Sequence, residues 1–411
     1  MGKITKKQKE AYAYLIAKEG AAIQKGQYVE IKANVELESF VALLAKACYK
    51  LGAKRVTYDW LSDLTNRTDY KYGKIKNLSE LNEGELGLEK YRTDKLPVLI
   101  YLDGDDPDGL KGIKASTLAT IRANRYAQIK EYKEARANKY QWVIAGVPTA
   151  KWAKKVFPSL SKGKAIEALW EAILFTARAK EGDPITNWKN HDSFLKEKCN
   201  KLNSLNLRKL HYEASNGTDL TVGLIPGVKF EGGSERTISG ISFEPNIPSE
   251  ECFTSPMKGE AEGIVYSSKP LVYQGQLIDK FSVRFKEGKA IEVHAEKGEE
   301  LLKSILSLDE GSAYLGECAL VPFESPVNET GLIFYSTLYD ENAVCHLALG
   351  RGFTQLYPDF EKYTEDELHS FGINSSLSHV DFMIGTRDLN ITGIDKDGKE
   401  IAIFRNGTFA I

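Results

Sequence analysis

The sequence predicts two domains, an α/β N-terminal domain with a mostly parallel sheet (residues 1–190) and a mixed α+β, β-rich C-terminal domain (residues 191–411). Three observations lead to this fold class. The chain has 411 residues, more than one ordinary hydrophobic core accommodates. Strand and helix patterns alternate along its first half. From about residue 208 onward, short alternating strands separated by Gly and Asn turns replace that pattern.

In the first half, apolar strand patterns are followed by segments with helical spacing. The strand patterns are QYVEIKA, RVTYDWL, LPVLIYLD and QWVIAGVP, and FVALLAKACYKLG follows the first of them. Such alternation is typical of a parallel sheet flanked by helices. KAIEALWEAILFTARA (164–179) predicts an amphipathic helix that ends near Gly182-Asp183-Pro184. A second helical pattern, at 191–202, bridges to the second half.

The second half reads mainly as strands joined by turns. Its strand patterns lie in TDLTVGLIPG, in GIVYSSKPLVYQGQLIDKFSVRFKEGKAIEVHAEKG and in NITGIDKDGKEIAIFRNG, where Asp397-Gly398 marks a hairpin. GEELLKSILSL (298–308) and ENAVCHLALG (341–350) are the predicted helices of this half. The mixture favours an α+β domain.

Composition excludes several classes of partner. Hydrophobic residues make up 42% of the chain and charged residues 27%, as in globular proteins. The sequence contains no run of 18 apolar residues, so no membrane span is expected. The 55 basic and 57 acidic residues nearly cancel, so nucleic acid is not an expected partner. The five cysteines are odd in number and contain no C-x-x-C pair, which favours a reducing cytoplasm over a disulfide framework.

Five potential metal ligands lie in distinct short settings of the last 160 residues. Together they supply three carboxylates and two imidazoles, the donors that hold one or two divalent ions for hydrolysis. They are Glu251, Glu317, His346, His379 and Asp381. If His379 and Asp381 lie on a strand, their side chains point to the same face. On a predicted helix, Glu341 would lie near His346 as an extra ligand or a supporting carboxylate.

Four motifs around these residues closely resemble a known family. PNIPSEECFTSP, GSAYLGECALVP, STLYDENAVCHLALG and NSSLSHVDFMIGT are similar to the thermophilic metallo-aminopeptidases of the aminopeptidase T and aminopeptidase S (PepS) type. The resemblance extends over most of the chain, including KGQYVEIKANVELESFVALLAKACYKLGAKRVTYDW. It implies a cocatalytic metal exopeptidase that releases N-terminal amino acids from short peptides, with a catalytic metal-binding domain at 191–411.

The resemblance also implies roles for the five residues. The matching positions of the family are metal ligands, and Glu317 matches the ligand shared by two ions, which in the family are zinc, cobalt or manganese. A homodimer is implied in the same way. A carboxylate must carry a proton from the attacking water to the leaving amine, and Glu317 and Glu341 are the catalytic candidates. Glu317 is the weaker candidate if metal occupies both of its oxygens.

One position departs from the family pattern. The family places a tyrosine seven residues after the first histidine, whereas HLALGRGF puts Phe353 there, and Tyr357 is the nearest replacement along the chain. A phenol that could stabilise the oxyanion would then be absent. That absence motivates one of two alternatives to an aminopeptidase that stay open, the non-catalytic one. One is another two-metal amidohydrolase, such as an amidase or a dipeptidase, and the other is a non-catalytic metal- or peptide-binding homologue.

Overall fold

The computed structural model describes residues 4–273 and 276–411 and divides the chain into two compact units. The first unit comprises the chain up to Lys189 together with Ser234–Pro248, and the second comprises Asn190–Gly233 and Ser249–Ile411. The sequence predicts a single boundary after residue 190. The segment Ser234–Pro248 returns to the first unit, where its strand pairs with the sheet.

Strands and helices are numbered in chain order. The strands are β1 (Tyr28–Asn34), β2 (Arg55–Leu61), β3 (Val98–Asp103), β4 (Trp142–Gly146), β5 (Leu207–Glu213), β6 (Asp219–Leu224), β7 (Glu235–Arg236), β8 (Ser242–Phe243), β9 (Asn246–Ile247), β10 (Cys252–Thr254), β11 (Pro256–Tyr266), β12 (Leu271–Tyr273), β13 (Gln276–Lys286), β14 (Lys289–Lys297), β15 (Leu315–Leu320), β16 (His346–Gly350), β17 (His379–Met383), β18 (Asn390–Asp395), β19 (Glu400–Arg405) and β20 (Thr408–Phe409). The helices are α1 (Lys6–Leu15), α2 (Glu38–Lys50), α3 (Asp63–Tyr72), α4 (Ile75–Ser79), α5 (Glu83–Lys95), α6 (Ala115–Arg136), α7 (Ala150–Val156), α8 (Lys162–Thr176), α9 (Pro184–Ser204), α10 (Glu299–Leu306), α11 (Pro326–Glu329), α12 (Thr337–Asp340) and α13 (Glu365–Ser370). No helix of the described residues is long and apolar enough to cross a bilayer.

The first unit is built on a five-stranded parallel sheet in the order β2-β1-β3-β4-β9. Parallel strands need crossover connections, and α2 to α6 supply them between β1 and β4. The helix α2 buries the apolar face formed by Phe40, Val41, Leu44 and Cys48. The predicted α/β fold of the N-terminal half is therefore confirmed.

The second unit is built on antiparallel strands. A nine-stranded sheet has the order β12-β13-β11-β6-β5-β18-β19-β20, with β14 paired to β13. A four-stranded sheet has the order β10-β15-β16-β17. The predicted hairpin at Asp397-Gly398 joins β18 to β19, and Gly398 has the positive φ of 82° that such a turn requires. The β-rich α+β assignment is confirmed.

The two helices predicted in the second half differ in outcome. The helix predicted at 298–308 is present as α10. The helix predicted at 341–350 is wrong, because only a 3-10 turn forms at Glu341–Ala343 and the remainder is β16. Every residue of β16 is buried, so its apolar run reflects burial on both faces rather than helical periodicity. The predicted run GIVY to AEKG forms β11 to β14, except for residues 274 and 275, which lie outside the described residues.

A β-bulge at Gly316 controls the direction of Glu317. Leu315 pairs with Leu349 and belongs to the core, whereas Glu317 pairs with Ala348 on the other face of the sheet. Residues two apart on a regular strand share a face, so the extra residue at Gly316 is what allows these two to differ. A Cβ at Gly316 would lie 2.3 Å from the carbonyl oxygen of Arg351 and 2.4 Å from that of Gly350.

We predict that Gly316→Ala lowers the free energy of unfolding by about 1–3 kcal/mol, because the added methyl group cannot fit without moving backbone. Thermal unfolding measures the effect. Gly87→Ala is the matched control, since Gly87 lies inside α5 and a methyl group added there would meet nothing within 4 Å. That control should unfold at the wild-type temperature or above it. An unchanged melting temperature for Gly316→Ala would contradict the close approach of backbone at the Gly316 bulge.

Candidate metal centre

The four-stranded sheet brings the five predicted ligands to one of its faces. Glu317 and Asp381 both pair with Ala348, and His346 lies in the next row, between Ala319 and Met383. The same face takes His379, opposite Gly350, while Glu251 immediately precedes β10. The residues between the ligands are alanine and glycine. Their small size leaves space above the sheet for the longer acidic and imidazole side chains.

The ligand atoms form two groups. Glu251, Glu317 and His346 offer atoms that all lie within 4.8 Å of one another, and so do Glu317, His379 and Asp381. In the first group, Nε2 of His346 lies 3.1 Å from Oε2 of Glu251. In the second group, Nε2 of His379 lies 3.1 Å from both Oε2 of Glu317 and Oδ1 of Asp381. Glu317 belongs to both groups.

Each imidazole is oriented by a hydrogen bond to the backbone. Nδ1 of His346 donates to the carbonyl oxygen of Val344 at 3.3 Å, and Nδ1 of His379 donates to that of Arg351 at 2.7 Å. A carbonyl only accepts, so Nδ1 carries a proton and Nε2 is directed toward the carboxylates. Backbone carbonyls orient metal-binding histidines in this way in many proteins.

Burial makes the acidic groups interact strongly. Glu317 and Asp381 are 4% and 9% exposed. Burial raises the pKa of Glu317 to about 7 against the opposing hydrogen bond from His379, and the charges of Glu251 and Asp381 add to the rise. Burial also tends to raise the pKa of Asp381, but the charge and hydrogen bond of His379 hold it at about 2. Burial lowers the pKa of His346, and Glu251 reverses this and raises it to about 10.

The donor set fits a divalent cation. Carboxylate oxygens and imidazole nitrogens are the ligands that zinc, cobalt and manganese accept in proteins. The carboxylates outnumber the histidines, and in the described part of the chain no Lys or Arg lies within ion-pair distance of Glu251, Glu317 or Asp381. A bound cation would supply the positive charge that these buried groups lack.

Glu341 lies beside this cluster without belonging to either group. It begins the 3-10 turn that precedes β16, and its carboxylate accepts a hydrogen bond from Nδ2 of Asn342 at 3.5 Å. Burial raises its pKa well above the ordinary value, and the charges of Asp381 and Glu251 add to the shift. These neighbours put the carboxylate close to the predicted ligands, where a supporting group is expected.

Two residues near the centre carry no signal in the sequence. Asn342 is fully buried, and its Oδ1 accepts a 2.7 Å hydrogen bond from the backbone N–H of Glu250, next to Glu251. Phe253 lies two residues after Glu251, and its ring centroid is 5.2 Å from that of Phe353. Amide and aromatic residues are common in cores and turns, so no local pattern distinguishes these two.

The Phe353 ring lies against the centre. Its centroid is 5.1 Å from that of the His379 imidazole, and its backbone N–H donates to Oγ of Ser255 at 2.7 Å. Tyr357 packs elsewhere, with ring centroids 4.9 Å from Phe371 and 5.7 Å from Tyr363. The hydroxyl considered as a replacement therefore belongs to a separate aromatic cluster.

The cysteines next to the ligands face the opposite side of the sheet. Cys252, Cys318 and Cys345 are all part of the hydrophobic core. Burial raises the pKa of the Cys318 and Cys345 thiols to about 12. They are protonated core residues and not candidates for coordination.

Comparisons of the whole chain with known proteins identify its family. The sequence pattern of the thermophilic metalloproteases (M29) matches residues 5–409. The chain is 40% identical to aminopeptidase AmpS of Bacillus subtilis, covering 97% of both sequences, and 35% identical to aminopeptidase T of Thermus aquaticus, again covering 97% of both. The structure of wild-type AmpT from Thermus thermophilus aligns with a TM-score of 0.89 at 33% identity, over 99% of this chain and 100% of that one.

A more distant structure shares only the fold. It is that of 2,5-dihydroxypyridine dioxygenase from Pseudomonas putida, with a TM-score of 0.51 at 12% identity over 98% of this chain and 96% of that chain. Such a likeness carries no function. The family pattern and the full-length relatives do indicate a function, because they imply a divalent metal and peptide substrates. The chain belongs to the thermophilic metalloprotease family and is a metal-dependent aminopeptidase.

Proposed function

We propose that this aminopeptidase uses two divalent ions, one held by Glu251, Glu317 and His346 and the other by Glu317, His379 and Asp381. The observation that carries the proposal is that both ligand groups include Glu317. Zinc, cobalt and manganese all suit these donors. Two such ions, when bound, activate water and polarise the scissile carbonyl of the peptide.

Glu341 is the proposed carrier of the proton. A carboxylate must accept a proton from the attacking water and deliver it to the leaving amine. Glu317 is less suited, because its oxygens are engaged if it bridges two ions. Glu341 lies beside both groups and belongs to neither, so its oxygens remain available. The products are then a free amino acid and a peptide shortened by one residue.

Phe353 reduces the number of groups that can stabilise the oxyanion. Its ring lies against His379, at the position where the family pattern has tyrosine. Phenylalanine offers no hydrogen-bond donor. The chemistry in this chain therefore relies on the metal centre and on Glu341.

The proposal also covers assembly and compartment. The second unit, which contains all five ligands and Glu341, is the proposed catalytic domain. Five free cysteines, all buried, support a reducing cytoplasm. The homodimer rests on the family resemblance alone.

The first prediction from this proposed function concerns the shared ligand. We expect the wild-type protein, stripped of metal and dialysed against zinc, cobalt or manganese, to retain two ions per chain and to hydrolyse aminoacyl-p-nitroanilides. Glu317→Gln should retain fewer than two ions and lose about 10²-fold or more in kcat/KM, since even indirect partners of a metal contribute 10–100-fold to affinity. Elemental analysis and initial rates provide the measurements.

Glu300→Gln is the matched control, because the Glu300 side chain is 89% exposed and lies in α10. It should keep both the metal content and the rate. A wild-type protein that binds a single ion, or a Glu317→Gln protein that binds two, would argue against the shared ligand.

The second prediction separates Glu341 from the ligands. Glu341→Gln should keep two ions and lose about 10²–10⁴-fold in kcat, the usual contribution of a general acid–base group. Glu341→Asp, which keeps the carboxylate, should recover part of the loss. Full activity in a fully metal-loaded Glu341→Gln protein would remove Glu341 from the proposed role.

The third prediction tests the missing phenol. Phe353→Tyr should raise kcat by about 10-fold or more, because an added oxyanion donor contributes up to 10²–10³-fold in other enzymes. Phe253→Tyr adds a hydroxyl to the neighbouring ring and serves as the control, with no expected gain. If Phe353→Tyr leaves kcat unchanged, the phenol has no oxyanion role in this protein.

A further inference from the structure

A turn formed by residues 309–312 precedes β15, the strand that carries Glu317. The backbone N–H of Ser312 donates to Oδ1 of Asp309 at 2.8 Å, and Oγ of Ser312 donates to the carbonyl oxygen of Asp309 at 2.6 Å. Ser312 is fully buried. These hydrogen bonds fix the Asp309 carboxylate just before the beginning of β15.

The same carboxylate binds the segment that leads into β17, the strand that begins with His379. Its Oδ2 accepts a hydrogen bond from the backbone N–H of Leu377 at 2.6 Å, and its Oδ1 accepts one from Oγ of Ser376 at 2.9 Å. Oγ of Ser376 in turn accepts a hydrogen bond from the backbone N–H of Ser378 at 3.1 Å. Asp309 is therefore attached to the residues immediately before His379.

Hydrogen bonds rather than apolar packing hold residues 375–377. The side chain of Leu377 is 76% exposed, and the two residues before it are serines. A Cβ added at Gly311 would overlap the carbonyl oxygen of Ser375, so the turn and this segment lie directly against each other. The position of the segment therefore depends on what the turn offers it, and Asp309 offers two acceptor oxygens.

Asp309 connects the beginnings of two strands that have β16 between them. Because β15 and β17 are both antiparallel to β16, they run in the same direction and begin at the same end of the sheet. Nε2 of His379 lies 3.1 Å from Oε2 of Glu317 across that gap. His379 is the first residue of the last strand, and its side chain is 27% exposed, against 5% for Glu317 and 10% for Asp381. It is thus the member of the second ligand group that the sheet restrains least.

The attachment involves an ionised carboxylate. Burial tends to raise the pKa of Asp309, but the N–H of Leu377, the hydroxyl of Ser376 and the N–H of Ser312 hold that pKa below its usual value. Hydrogen bonds to an ionised carboxylate are stronger than those to a neutral acceptor.

We propose that Asp309 is a positioning residue for the second ion, because it holds the segment before His379 and so directs Nε2 of His379 toward the oxygens of Glu317 and Asp381. The inference rests on the proposed function, which places an ion at this ligand group. Asp309 is not a ligand and acts through His379. Groups that orient metal-binding side chains contribute about 10–100-fold to metal affinity.

The test is a cobalt titration of metal-free protein, followed by the visible absorption of the bound ion and by competition with a chelator. The wild-type protein should bind two ions. Asp309→Ala should bind one of them about 10–100-fold more weakly and the other within about 3-fold of wild type. Asp309→Asn keeps one acceptor oxygen and should lose less affinity than Asp309→Ala. Excess cobalt should restore kcat in both variants to within about 3-fold of wild type, because Asp309 acts on the ion site and not on the substrate.

Glu310→Gln is the matched control. It removes the same charge from the next residue, whose side chain is 91% exposed, and it should change the affinity for neither ion. Circular dichroism and thermal unfolding of the metal-free proteins confirm that each variant is folded. Asp309→Asn keeps the proposal testable if Asp309→Ala does not fold.

The Nδ1 proton of His379 separates this inference from the proposed function. In metal-free protein with its six histidines labelled with ¹⁵N, this proton is identified by its loss in His379→Gln. It should be protected by the 2.7 Å hydrogen bond to the carbonyl oxygen of Arg351, and it should exchange about 10-fold faster in Asp309→Ala. If the wild-type protein binds a single ion but this exchange still quickens, the two-ion proposal fails and the positioning role stands.

Four results would overturn the positioning role. They are an unchanged exchange rate of the His379 proton in Asp309→Ala and, in a protein that binds two ions, unchanged affinities, equal weakening of both ions, or a loss of kcat that excess cobalt does not restore.

Discussion

The second unit depends on placing several carboxylates close together in a buried site. Glu251, Glu317 and Asp381 are each less than a tenth exposed, and histidines are the only ion-pair partners found for them in the described part of the chain. Removing an ion from water costs several kcal/mol even after the protein relaxes. The rise of the Glu317 pKa to about 7 reflects this cost, since burial and two neighbouring charges favour its neutral form. A bound cation would offset this cost.

The same sheet joins the centre to the hydrophobic core. Leu347 and Leu349 point into the core, whereas His346 and Ala348 point to the ligand face. A slip of one residue in the pairing of β16 would exchange the two sets, and would bury an imidazole among leucines. Core packing therefore enforces the register that brings the ligands together. The bulge at Gly316 provides the one local change of direction that Glu317 requires.

The sequence predicted which residues lie together better than it predicted how the sheet brings them together. The donor types and the family motifs selected the five residues. The period-two spacing of His379 and Asp381 predicted that their side chains share one face, and both residues lie on β17 with that spacing. The helix predicted at 341–350 is wrong because an apolar run buried on both faces has no helical or strand period to read. The bulge, the hydrogen bond from Glu250 to Asn342 and the contact between Phe253 and Phe353 depend on pairings between distant segments. No local pattern encodes such pairings.

Charge balance gives a reason for Glu341 to be part of the centre. Three carboxylate ligands leave a net positive charge if two divalent ions bind with neutral histidines, and the nearby carboxylate of Glu341 would cancel the remainder. In the protein without metal, burial and the charges of Asp381 and Glu251 instead raise the Glu341 pKa and favour its protonated form. The two states of the site therefore demand opposite protonation of the same group. Binding of cations would release that proton and leave the carboxylate free to accept one, as the proposed role of Glu341 requires.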